Sequence, residues 1–161
     1  MHPNEKLITD FYAAFQAHDA ERMIAAYQPD AVFSDPAFGQ LEGDRLFAMW
    51  RMLCARAADL EIRVSDIHAD DVAGSAKWEA LYTFGMTKRR VHNVIQASFV
   101  FSDRRIMKHT DMFDMWKWSG MAIGLPGKLL GWFPPFRSFL RKNFAKQLQS
   151  YIDKRLAKPS A

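Results

Sequence analysis

The sequence predicts an α+β domain in which helices come first and an antiparallel sheet follows, with a helical appendage at the C-terminus. Three observations carry this. Apolar residues recur at helical spacing through the first third of the chain, alternate with polar ones from Leu60 onward, and return to helical spacing from Phe136. Helices followed by a meander imply layers, the helices covering one face of a curved sheet.

Taken in order, Leu7, Ile8, Phe11, Ala14 and Phe15 form a helical stripe with Asn4 as its candidate N-cap. Asp19 is placed to cap a second helix through Met23, Ile24 and Tyr27, which Pro29 terminates. The stretch from Ala31 to Pro36 is too short and too β-rich for a helix, and Pro36 cannot donate to a ladder. After a turn at Gly39 to Gly43, Asp44 is placed to cap a third helix that buries Leu46, Phe47, Trp50 and Leu53.

The period then changes to two. Leu60, Ile62 and Val64 share one face of a strand, and Ala76, Trp78, Ala80, Tyr82 and Phe84 share one face of the next. In a third strand Val91, Asn93, Ile95, Ala97, Phe99 and Phe101 face one way, and Arg90, His92, Val94, Gln96, Ser98 and Val100 the other. Ile106 to Trp118 reads as a fourth strand, and the breaks between these runs are short enough for hairpins. Gly120, Gly124, Pro126, Gly127 and Gly131 then argue against a regular element until Phe136, where Phe136, Phe139, Leu140, Phe144, Leu148, Ile152 and Leu156 line up on one side of a helix. The expected division is a domain over 1–118 and a basic amphipathic extension over 119–161.

The chain has 161 residues, 49% of them hydrophobic, enough for one domain with a core. Thirteen Phe, five Trp and four Tyr suggest a core, or a cavity, built of large rings. The single cysteine, Cys54, excludes an internal disulfide and a multi-thiolate zinc site. The opening residues lead into an amphipathic segment and no apolar run is long enough for a membrane span, so a reducing cytoplasm is the expected compartment. The net charge of +4 is uneven, because the cations from Lys128 onward face only Asp153, whereas the preceding body is mildly acidic. A basic tail on an acidic body, without a glycine-rich phosphate loop or a nucleic-acid motif, does not indicate a nucleic-acid partner.

The run Tyr27-Gln28-Pro29-Asp30-Ala31-Val32-Phe33-Ser34-Asp35-Pro36, with Arg90-Val91-His92-Asn93-Val94-Ile95 and His109-Thr110-Asp111-Met112-Phe113, resembles the nuclear transport factor 2-like superfamily, and within it the SnoaL-like proteins and ketosteroid isomerases. The resemblance covers about residues 5–118. It implies a cone: a curved antiparallel sheet, cystatin-like, wrapped around the N-terminal helices with an apolar pocket at its wide end. It implies no single reaction, since many chemistries share that fold.

By the resemblance Asp35 falls on the general base of the isomerases. A carboxylate at an apolar cavity mouth has its charged form disfavoured, which raises its basicity; the plainer reading is that Asp-Pro shapes a turn. The family's tyrosine falls on Phe11, which has no proton to give, and its protonated aspartate falls on Gln96, whose amide is a weaker donor. The family's steroid isomerisation mechanism is therefore not expected here. His109 and Asp111, two apart on one strand, leave the same face and Phe113 continues the row. SnoaL-like cyclases resemble this in using an aspartate on this strand as acid and base. Asp111 would orient His109 while His109 moves a proton; the alternative is a pair that only satisfies itself. Trp78, Tyr82, Phe113 and Trp50 would wall the pocket, and continuing the pattern from Gln96 adds His92, Val94 and Ser98. Neither a metal set nor the Asp-Arg-Asp pattern of the superfamily's epoxide hydrolases is evident, and no cofactor is expected.

The extension admits two readings: an apolar helix face lying on an anionic membrane, or the same face closing the pocket mouth or meeting a partner. For the whole chain the leading expectation is a cofactor-independent isomerase or cyclase acting on a hydrophobic carbonyl compound. A non-catalytic carrier or sensor of a hydrophobic ligand and a dimerisation module stay open beside it. A homodimer is implied by the resemblance.

Overall fold

In the computed structural model, which describes residues 1–56 and 58–158, helix α1 (Pro3–Gln16) is capped by His2 rather than by Asn4. His2 accepts from the Asn4 backbone N–H while Glu5 reaches back to the His2 N–H, a reciprocal capping box with Pro3 in the first turn. Asn4 is free to turn inward and donates to the Asp70 carbonyl instead. Asp19 caps α2 (Ala20–Ala25) as its position suggests.

Tyr27 is the first residue of β1 (Tyr27–Asp35), not the end of the second helix. Pro29 sits where the pairing of β1 skips from Tyr27 to Val32, which suits a residue without an N–H. The expected turn at Gly39 to Gly43 is instead a short strand, β2 (Gly39–Glu42), antiparallel to β1 and bounded by glycines at φ +68° and +50°. Asp44 opens α3 (Asp44–Arg56).

The remaining strands are β3 (Glu61–Ala69), β4 (Ala73–Thr83), β5 (Arg90–Ser102) and β6 (Arg105–Met112), joined as an antiparallel meander. β1 adds to the far side of β6 in parallel, giving one curved six-stranded sheet in the order β2-β1-β6-β5-β4-β3. Its inner face packs on α1 and α3 through Ile8, Phe11, Phe15, Met49 and Trp50.

β6 stops at Met112 rather than Trp118. Asp114 caps α4 (Met115–Ile123) by accepting from the Trp116 and Lys117 N–H groups, and the apolar residues beyond it bury at helical spacing. The glycine-rich stretch is helical too: α5 (Leu125–Leu130) folds back on α4, with a Cβ on Gly127 meeting the Ser119 carbonyl oxygen at 2.0 Å. Glycine here permits close helix packing rather than breaking a helix. Position 118 therefore lies inside α4, which runs across the expected domain division. The last helix, α6 (Pro134–Ala157), lays Leu140, Phe144 and Leu148 against the domain, while Phe139 and Leu156 face outward. Among the described residues no helix is long and apolar enough to cross a membrane.

Candidate functional site

A cavity of about 470 Å³ opens between the sheet, α3 and the C-terminal helices. Its wall is aromatic: Phe15, Phe33, Trp50, Trp78, Tyr82 and Phe113 from the domain, with Trp118 of α4 and Phe144 of α6 closing it from above. Polar bonds hold α6 there. Arg45 donates to Gln149, Arg56 to Gln147, and Arg141 to the Pro36 carbonyl.

Two carboxylates meet this apolar space. Parallel pairing aligns Phe33 with His109 and Ser34 with Thr110, so Asp35 and Asp111 stand one step further along adjacent strands. Asp35 Oδ1 accepts from the Ala37 and Phe38 backbone N–H groups at 2.9 and 2.6 Å, the turn that carries the chain past Pro36. Burial nevertheless pushes the Asp35 carboxyl up to about 7; the Phe38 N–H opposes the rise, and the negative charge of Asp111 adds to it.

Asp111 Oδ1 takes both His109 Nε2–H at 2.8 Å and the Trp78 indole N–H at 3.3 Å, leaving Oδ2 for the cavity that Asp111 lines. His109 itself contributes no wall. It is fully buried, ringed by Phe11, Phe33, Phe99, Tyr27 and Trp50. The Trp50 indole N–H, a donor only, occupies a lone pair of the Tyr27 hydroxyl. The Tyr27 proton is then the one that meets His109 Nδ1, at 2.6 Å. This assigns Nδ1 as acceptor and Nε2 as the protonated nitrogen facing Asp111. Burial keeps the Tyr27 hydroxyl protonated far above the usual tyrosine range.

Two further polar groups reach the cavity. Asn93 is buried on β5, and its amide makes no hydrogen bond among the described residues. The Tyr82 hydroxyl accepts from the Trp118 indole at 2.8 Å, so its own proton remains to be given. They stand on neighbouring strands, where Ala80 pairs with Asn93 and Tyr82 with Val91. No group of three His, Cys, Asp or Glu side chains among the described residues is placed to hold a metal ion.

A model of the SnoaL-like domain matches residues 8–109. The chain belongs to the SnoaL-like family. Solved structures agree on the fold of this SnoaL-like protein. An LEH-like epoxide hydrolase from M. tuberculosis superposes with a TM-score of 0.64 at 24% identity, covering 80% of this chain and 96% of that one. A Catenulispora acidiphila protein of ketosteroid isomerase-like fold, in complex with trimethylamine, gives 0.67 at 12%, covering 80% and 98%. IdmH of Streptomyces antibioticus, assigned provisionally as a polyketide cyclase, gives 0.60 at 22%, covering 73% and 96%. No curated protein sequence matches.

Of the residues the sequence nominates, the SnoaL-like protein brings Asp35, Asp111, Trp50, Trp78, Tyr82 and Phe113 to one cavity. Phe11 lies behind the wall, edge-on to His109. His92, Val94, Gln96 and Ser98 are on the other side of the sheet, exposed, with His92 paired to Glu79 there. The physical reason is the period of a strand: counting from Gln96 selects the even-numbered row, whereas burial selects Val91, Asn93, Ile95, Ala97 and Phe99. Asn93 was legible as the single polar residue in that apolar row. Trp118, read in the sequence as the end of a strand, carried no signal, whereas Phe144 lies on the helix face for which closing the pocket mouth was one of the readings. Arg90 forms an ion pair with Asp59 outside the site.

Proposed function

We propose that this SnoaL-like protein binds a hydrophobic carbonyl compound in the cavity and moves a proton on it, as a cofactor-independent isomerase or cyclase. The observation that carries the reading is the pair of carboxylates from adjacent strands at one aromatic wall, with Asp35 poised near 7. A base that titrates near the working pH is suited to removing a proton from carbon. Asp35 takes the proton α to the carbonyl, and the C–H electron pair becomes the enolate. Tyr82 and Asn93 donate to the enolate oxygen, the task that Gln96 cannot perform from the outer face. With a β,γ-unsaturated substrate the resulting dienolate takes the proton back from Asp35 at its γ carbon as the double bond moves into conjugation. Otherwise the enolate attacks a second carbonyl of the same molecule and the new alkoxide takes the proton back. Asp111 serves as a second proton-transfer group, and His109, out of reach of the ligand, acts by orienting it.

Proton exchange tests this without knowledge of the natural substrate. β-Tetralone incubated with the protein in deuterium oxide is expected to lose its α-proton NMR signals faster than in buffer. Asp35→Asn is expected to slow that exchange by about 10²-fold or more while binding persists. Binding without acceleration of the probe would leave the carrier reading instead.

A further inference from the structure

We infer that the corner formed by α4, α5 and the start of α6 is a docking surface for an anionic phospholipid bilayer. The Phe/Leu face of α6 is not that surface, since Leu140, Phe144 and Leu148 pack inward. The residues left outside are Leu125, Leu129, Leu130, Trp132, Phe133 and Phe139, with Leu125 at 67%, Leu129 at 62% and Trp132 at 54% exposure. An apolar cluster of this kind on one short stretch is unusual on a water-facing surface.

Three observations point to lipid as the occupant. The first is charge. Between Met115 and Ile152 there is no acidic residue, while Lys117, Lys128, Arg137, Arg141, Lys142 and Lys146 surround or follow the apolar cluster. Cations beside an apolar face match a negatively charged leaflet and would repel a second copy of the same surface. The second is hydrogen bonding. Trp132 donates its indole N–H to the Leu129 carbonyl, and the neighbouring exposed Trp116 donates its own to the Lys128 carbonyl, so these rings can leave water without stranding a donor. The third is rigidity. Contact of Gly127 with the Ser119 backbone locks α5 on α4, so the surface is preformed rather than assembled on binding. The same helices wall the cavity through Trp118 and Phe144, which puts a hydrophobic ligand site next to the lipid-facing corner. This inference does not depend on the proton-transfer chemistry.

Vesicle sedimentation of the full chain tests it. On vesicles of equal parts phosphatidylcholine and phosphatidylglycerol the protein is expected to pellet, at least about tenfold more tightly than on phosphatidylcholine alone, and to be released by high salt. Leu129→Glu with Trp132→Glu, at exposed positions, is expected to abolish pelleting while the thermal unfolding temperature stays unchanged. Lys128→Glu with Lys142→Glu is expected to abolish the preference for anionic vesicles. The inference is overturned if the full chain stays in the supernatant, if the apolar pair of substitutions leaves pelleting intact, or if that pair instead dissolves a self-association seen without vesicles.

Discussion

His109 donates its Nε2–H to Asp111 Oδ1 at 2.8 Å from a place where it cannot touch anything in the cavity. The carboxylate faces the cavity and the imidazole stands behind it, held in one tautomer by Tyr27. His109→Phe keeps a ring of similar size but removes both hydrogen bonds. It is expected to lower kcat for proton exchange on a carbonyl probe with little change in KM, because the wall is intact while Asp111 loses its orientation. Asp111→Asn, which still accepts from Nε2–H, is expected to keep the fold and lose activity by about 10²-fold. Steady-state kinetics with thermal unfolding of both variants separates the two roles.

Tyr27 is the other end of that chain. Tyr27→Phe leaves the Trp50 N–H and His109 Nδ1 buried without a partner. A loss of about 1–3 kcal/mol of stability is expected, read from the shift of the denaturant midpoint.

Asp35 predicts a pH dependence of definite sign. The unfolded aspartate releases its proton near 3.8 and the folded one near 7. Between those values the native state holds more protons than the unfolded one. The contribution to stability is therefore full below 3.8 and lost as pH rises through 7. Asp35→Asn cannot ionise and still accepts the turn bonds. It is expected to match the wild type in acid and exceed it by on the order of 2–4 kcal/mol at about pH 8. Activity has the opposite sign and should rise through neutrality as the base form appears. Equal wild-type and variant stability at about pH 8 would remove the near-neutral carboxyl from the account.

Asn93 and Gln96 lie three residues apart on opposite faces of β5. Asn93→Ala is expected to slow exchange by roughly tenfold, as for a lost donor to the enolate oxygen, whereas Gln96→Ala should be silent. An effect at Gln96 alone would reverse the assignment of faces.

Gly127→Ala places a methyl group where the Ser119 carbonyl oxygen already stands. Separating α5 from α4 is expected to cost about 1–3 kcal/mol and to speed proteolytic cleavage within 124–133, leaving the sheet protected.

How far this architecture can be read along the chain follows from which signals are local. The alternation of apolar and polar residues in β3, β4 and β5, the breaks between them, Asp19 as a cap and the order of elements are written in neighbouring residues, because backbone periodicity acts over a few positions. Asp35 and Asp111 were legible as candidates through their motifs, whereas on β5 the count from Gln96 chose the exposed row over the apolar one. The parallel meeting of β1 with β6, which sets the two carboxylates side by side, joins segments more than seventy residues apart and has no local signature. The same holds for the ring of aromatics that keeps His109 out of the cavity and for α4 roofing it, whereas closure by α6 was one of the two readings of the extension. Each is a matter of packing in three dimensions, where a side chain's surroundings come from elements remote in the chain. The candidate site is therefore composed of residue types visible in the one-dimensional order and of distances that exist only once the sheet has curled and the last helix has closed over it.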